Sequence, residues 1–250
     1  MNRKTRLALF AAGAAVLAGV FAIAFAGLPP LGNYRGPYGQ MVNALVVPER
    51  NVTDAVTAVN FDIRGFDTLG EEFILFISVM GAALLLRRQS DESDREHADH
   101  ADDREVAAPS DAMRAAGMLL TAPTLLFGIY IVLHGQLTPG GGFQGGVILA
   151  SGALLVYLVG EFGNFRAAVP RAVVHAMEAI GAGVYPAVGL ATLAAGGAFL
   201  QNILPLGARG SILSGGTIPI INAGVALEVC GGITLVMIVY LEETLEQKEE

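Results

Sequence analysis

The sequence predicts an all-α integral membrane protein of six transmembrane helices, a two-helix module followed by a four-helix module. Three observations predict this. Six stretches hold close to the roughly 20 apolar residues that a helix needs to cross a bilayer. Only 15% of the 250 residues are charged while 53% are hydrophobic, against about 25% charged in a soluble domain. The cationic residues, finally, are distributed unevenly between the two sides that those spans define.

The six stretches are 7–28, 68–86, 113–134, 143–160, 173–200 and 219–241. The first follows Arg3, Lys4 and Arg6 and contains Ala24-Phe25-Ala26, the small-residue pattern of a signal-peptide cleavage site. Its apolar run exceeds the roughly 7–15 residues of a signal peptide's hydrophobic region, so an uncleaved anchor is expected. Between the second and third spans, segment 89–111 (QSDESDREHADHADDREVAAPSD) is polar, mixed in charge and without apolar periodicity. That composition reads as a flexible cytoplasmic linker. It divides the chain into a module at 1–88 and a module at 112–250.

With the N-terminus in the cytoplasm, only Arg35, Arg50, Arg64 and Arg209 of the 15 Lys and Arg residues fall on outer segments. The other eleven, from Arg3 to Lys248, lie on inner ones. This is the positive-inside bias, and it predicts a multi-pass protein of the cell membrane with both termini cytoplasmic. The net charge of −8 comes largely from 91–105 and the acidic tail, so it describes loops and gives no broad basic face for nucleic acid. The one cysteine, Cys230, sits in an apolar run and reads as a small buried hydrophobe.

Polar side chains inside spans are expensive, which makes them functional candidates. Glu228 lies near the middle of the sixth span, in AGVALEVCGGITL, with no cation in the same helix. A lone carboxylate there has to be neutralised or has to face polar groups or water inside a bundle. It serves either as a relay for protons or cations or as an interhelical hydrogen bond. Asn222, six residues earlier, reads as a packing contact. His175 and Glu178 share a helix face through their i, i+3 spacing and either exchange protons or form a solvated helix start. In FDTLGEEFILF, Asp67 with Thr68 reads as a helix cap. Glu71, one turn deeper, is a candidate titratable site in the membrane.

The stretch HGQLTPGGGFQGG, from His134 to Gly146, raises the question of a phosphate cradle. A phosphate loop needs G-x-x-x-x-G-K-[ST], and no lysine occurs between Lys4 and Lys248. The loop also follows an apolar span in place of a strand. The glycines suit a membrane reversal better: Pro139 with Gly140, Gly141 and Gly142 turns the chain. The pairs Gly141/Gly145 and Gly142/Gly146 then permit close helix approach, here between the third and fourth spans.

HGQLTPGGGFQGGVILASGALLVYLV, followed by GGTIPIINAGVALEVCGGITLVM, resembles the MnhB/MrpB family, a small subunit of multisubunit Mrp-type Na⁺/H⁺ antiporters. The resemblance covers most of 112–250, with P-G-G-G-F-x-G-G as its specific core. NVTDAVTAVNFDIRGFDTLGEEFILFISVMGAALLL, 51–86, resembles the end of the large MrpA subunit and the corresponding small subunit of membrane-bound hydrogenases. Its core is F-D-T-L-G-E, Phe66 to Glu71. The 89–111 insertion belongs to neither motif.

The resemblance implies a membrane subunit of a cation/proton antiporter, with the equivalent subunit of an energy-converting hydrogenase, or a purely structural scaffold, as alternatives. Its motifs carry Glu71, His134 and Gln144 as candidate ion-path residues, beside Glu228, Glu178 and His175 from the spans themselves. It implies MrpA-, MrpC- and MrpD-like partner subunits, one of them bringing the lysine relay that this chain lacks. Na⁺ and H⁺ are the implied cargo. No nucleophile–base or metal constellation stands out, so no enzyme activity, metal or cofactor is expected.

Overall fold

A computed structural model describes residues 3–28, 36–86 and 110–246. Residues 87–109 lie outside the described residues, and with them nearly all of the expected linker. The described chain contains six helices long and apolar enough to span a membrane: Lys4–Ala26, Gly65–Leu85, Asp111–Leu133, Gly142–Gly160, Arg171–Ala194 and Ile218–Leu241. These are the six expected spans, shifted by a few residues at most ends. The largest shift is at the fifth, which stops at Ala194 and not at 200. Gly196, at φ +83°, takes the left-handed conformation that ends a helix, and its N–H bonds back to the Leu193 carbonyl.

The chain forms two compact units, 1–41 and 42–250. In the first, α1 (Arg3–Ala26) is apolar all round, and its described side chains are exposed. Such a helix belongs in lipid or against other apolar surface. Helix α2 (Pro37–Arg50) was not expected from the sequence. It starts on proline, whose fixed φ suits a first helical position, and ends before Asn51 at φ +55°.

The second unit begins within α2 and continues through α3 (Ala55–Ala58), a π-helical turn (Val59–Ile63) and α4 (Gly65–Leu85). It then holds α5 (Asp111–Leu133), α6 (Gly142–Ala168), α7 (Arg171–Ala194) and α8 (Ile218–Glu246). Asp54 caps α3, accepting from the Val56 and Thr57 N–H groups. Ser110 caps α5 through Met113 N. Helix α4 starts three residues before the expected span, so Asp67 is no cap. It sits in the first turn, where the helix dipole favours a carboxylate, and pairs with Arg64.

Helix α8 is the centre of this unit. It packs against α4, α6 and α7, while α5 packs on α6. Its span is 61% buried, against 28% or less for every other span. One apolar core joins Val42, Val46, Phe61 and Leu69 from the first half of the chain to Tyr185, Ile221 and Val229 from the second. The 42–86 and 110–246 segments therefore share one core.

The 134–146 reversal is built as its glycines require. Gly140 and Gly141 have φ of +156° and +136°, conformations open to glycine and few other residues. The helix pairing differs from expectation. Gly145 faces Val132 and Gly128 of α5, but Gly142 and Gly146 face Asn222, Ala226 and Val229 of α8. Gly145 thus serves α5 while Gly142 and Gly146 serve α8, which is how α6 comes to lie between α5 and α8.

Candidate functional site: a buried carboxyl cluster

On α7 the buried positions Val174, Glu178, Gly181, Tyr185, Gly189 and Thr192 recur every three or four residues. They form one stripe facing the bundle. On α4, Thr68 and Glu72 occupy one face through their i, i+4 spacing, with Leu69 beside them. Glu228 projects from α8, the most enclosed helix. These three helices bring three carboxyl groups into the interior: Glu72 is 7% exposed, Glu178 2% and Glu228 1%.

Two glycines make room for them. A Cβ on Gly231 would lie 2.6 Å from the Glu178 backbone nitrogen, and one on Gly181 would run into the Glu228 backbone. Each glutamate of the α7/α8 pair therefore lies against a glycine of the partner helix. Both helices carry the same tetrad, Glu178-Ala-Ile-Gly181 and Glu228-Val-Cys-Gly231. In this antiparallel pair each tetrad's glutamate meets the other's glycine.

The carboxyl groups of Glu72 and Glu228 are neighbours, close enough to act on each other directly. Glu178 lies close enough to Glu228 to act on it electrostatically. One oxygen on each of the three, Glu72 Oε2, Glu178 Oε1 and Glu228 Oε1, has no hydrogen-bond partner. Buried polar atoms are nearly always satisfied, so three orphaned carboxyl oxygens in one cluster mark a place for something else. Uncompensated charges in a low-dielectric interior cost several kcal/mol each. The cluster must hold protons or a bound cation where the chain supplies no lysine.

Tyr185 stands at one end of the cluster. Its hydroxyl donates to the carbonyls of Gly65 at 2.8 Å and Asn60 at 3.1 Å, with the Thr68 side chain near it. The ring packs edge-on against Phe61 at 6.2 Å between centroids.

The MnhB family model, a domain related to the MnhB subunit of Na⁺/H⁺ antiporters, matches residues 112–235, a stretch that includes Glu178 and Glu228. A Na⁺/H⁺ antiporter subunit of Bacillus subtilis is 32% identical over 133 residues, which is 50% of this chain and 88% of that protein. The chain belongs to the MnhB family of antiporter subunits. This MnhB-type subunit is a multi-pass membrane protein of the Na⁺/H⁺ antiporter kind. Two solved structures match nearly its whole length. One is a chain of the membrane-bound sulfane sulfur reductase, an archaeal respiratory membrane complex, at 31% identity and TM-score 0.71, covering 95% of this chain and 98% of that one. The other is a chain of the Mrp complex from Dietzia sp. DQ12-45-1b, at 25% identity and TM-score 0.69, covering 96% of this chain. The MnhB-type subunit spans 26% of that longer chain.

The structure brings together only part of the expected site. Glu228 and Glu178 are in the cluster. Glu71 is exposed on α4, and its neighbour Glu72 takes the interior place. His175 is half-buried one turn from Glu178, with Arg171 Nε 3.4 Å from its ring. His134 caps α5, with Nδ1 3.0 Å from the Tyr130 carbonyl and its ring stacked on Tyr130. Gln144 is exposed. Sequence reasoning missed Thr68, Tyr185 and the interior place of Glu72. The usable signal was the paired E-x-x-G tetrad, which marks where two helices press carboxyls against small residues.

Proposed function

We propose that this subunit carries part of the ion path of a monovalent cation/proton antiporter through its own bundle, along Glu72, Glu228 and Glu178. The observation that supports this most directly is the cluster itself: three interior carboxyls from three helices, each with an unsatisfied oxygen. At 1.5 Å rise per residue, Glu72 lies about 10 Å below the start of α4 and Glu228 about 15 Å below the start of α8. Both starts are at the same end of the bundle. Glu178, near the start of the oppositely directed α7, lies deeper still. The carboxyls form a descending series, and a group that exchanges a proton for a cation at each step suits exchange of Na⁺ for H⁺. The positive-inside bias supports a cytoplasmic location for both termini, and the lack of an interior lysine supports MrpA-, MrpC- or MrpD-like partners that supply one.

The test is Na⁺-dependent collapse of ΔpH in vesicles carrying the complex. Glu72→Gln and Glu228→Gln keep side-chain volume and remove titration. Each is expected to slow exchange by about a hundredfold, the usual worth of a positioned proton-transfer group, with the complex still assembled. Exchange at the wild-type rate in both leaves the subunit a scaffold. The full-length likeness to a chain of an archaeal respiratory complex favours a second reading, the equivalent subunit of a respiratory assembly. The co-purifying subunits decide it: large antiporter-like chains without a metal-cluster subunit support the antiporter.

A further inference from the structure

A cavity of about 670 Å³ opens at the end of the bundle where α4 begins and α7 ends, lined by Arg50, Asp62, Arg64, Gly65, Asp67 and Gln201 among others. It has no part in the α7/α8 packing. The backbone around it is irregular in two places. The π-helical turn Val59–Ile63 forms one wall, and such turns recur at functional sites. Leu200, a non-glycine residue at φ +62°, forms another, in a conformation L-residues seldom adopt.

The cavity's charged lining is balanced, with Arg50 paired to Asp62 and Arg64 to Asp67. Beside these pairs the lining holds apolar residues such as Phe66, Phe199 and Leu206, so the space is open and mixed, with no strong field of either sign. Its floor is thin. Gly65 lines it, and a Cβ added to Gly65 would lie 3.4 Å from Tyr185 Oη and 3.8 Å from Leu200 Cδ1. Behind that glycine, the Tyr185 hydroxyl bonds to the Asn60 and Gly65 carbonyls, with Thr68 near it. Thr68 lies one helical turn above Glu72, whose Oε2 has no partner. Gly65, the Tyr185 hydroxyl and Thr68 thus stand on the cavity side of Glu72.

We propose that this cavity is the aqueous vestibule through which protons reach the carboxyl cluster, with the Tyr185 and Thr68 hydroxyls as the relay across its floor. The proposal rests on the reading of the cluster as an ion path. In the transfer, a proton from vestibule water joins the Tyr185 oxygen as the tyrosine's own proton passes to Thr68. The threonine's proton in turn passes to the Glu72 carboxylate. Each hydroxyl ends with the single proton it began with, and the net change is one proton moved from water to Glu72. Carbonyls cannot pass protons, so the Tyr185 O–H must swing from Gly65 toward Thr68. That swing makes it a gate as well as a relay.

The test uses the assembled complex in vesicles with this end of the bundle facing the medium. Tyr185→Phe keeps the ring and removes the hydroxyl, and about tenfold slower exchange is expected, with the apparent Na⁺ affinity unchanged. Independently, Gln201→Cys is treated with a bulky, membrane-impermeant maleimide and its rate compared before and after, the wild-type complex serving as reagent control. Exchange should fall on labelling by a similar factor. If Glu72→Gln and Glu228→Gln abolish exchange while Tyr185→Phe and labelled Gln201→Cys run undiminished, the vestibule is overturned and the carboxyl path stands. If labelling proceeds without slowing, the vestibule is likewise overturned. Wild-type exchange in the two carboxyl variants overturns both.

Discussion

Asn222 shows how a polar side chain in a span is put to structural use. Its Oδ1 accepts from the Gly142 N–H at 2.5 Å, and its Nδ2 donates to the Val132 carbonyl at 2.6 Å. The Gly142 N–H is a free helix start on α6, and the Val132 carbonyl lies at the end of α5, where only the Gly135 N–H of the following turn otherwise reaches it, at 3.3 Å. One side chain on α8 thus closes both ends of the 134–142 reversal. Asn222→Ala leaves the Gly142 N–H buried and unpaired, at about 1–3 kcal/mol, while the Val132 carbonyl keeps the Gly135 N–H at 3.3 Å. The variant is therefore expected to unfold at clearly lower temperature in detergent, and an unchanged midpoint would refute the role. Glu228, on the same helix, shows the opposite economy, with an oxygen that nothing satisfies. The sequence distinguishes the two poorly, because both are single polar residues in an apolar run. It also fails to separate Glu71 from Glu72. In a soluble helix the polar face marks solvent and so fixes the rotation, but a span apolar on all sides offers no such reference.

At the scale of elements, the α7/α8 crossing governs where the carboxyls sit. Its closeness depends on Gly181, Gly224 and Gly231, each of which faces the partner helix with no room for a Cβ. Gly231→Ala has to push the two backbones apart, at the roughly 1–3 kcal/mol typical of overpacking. It also pulls Glu178 away from Glu228, so exchange should fall by more than the loss of folded complex explains. Gly183→Ala on the same α7 meets nothing within 4 Å. It should be neutral or slightly stabilising, since alanine is the better helix former. Thermal unfolding of both variants, with exchange per folded complex, checks the contrast; equal effects would mean that the seam does not position the site. The spans themselves were legible from length and apolar content alone. Helix α2 was not, being short, with Pro48 inside it and little to separate it from a polar loop. The vestibule was equally hidden, because its walls come from a π-helical turn and a loop joined only by folding.

For the whole molecule, the two sequence motifs divide the chain near residue 88, yet packing does not follow that division. Val42, Val46, Phe61 and Leu69 share a core with Ile218, Ile221, Val225 and Val229, and the carboxyl cluster takes Glu72 from one motif and Glu178 and Glu228 from the other. The site exists only where the two pieces meet, which gives a physical reason for their being joined in one chain. The covalent connection itself supplies proximity, and the interface supplies the binding. Fragments 1–88 and 110–250 produced together in the same membrane are therefore expected to co-purify through a tag on either one. The Glu72→Gln substitution spares the apolar core and should leave that association intact. Replacing Val46 and Leu69 by Ala should weaken it, since each truncation at a buried site costs about 1–5 kcal/mol. If the unmodified fragments fail to co-purify, the shared core does not hold the halves together and the chain connection does. If they co-purify and also restore Na⁺-dependent exchange when the intact subunit is absent, the 89–109 segment is dispensable for the ion path.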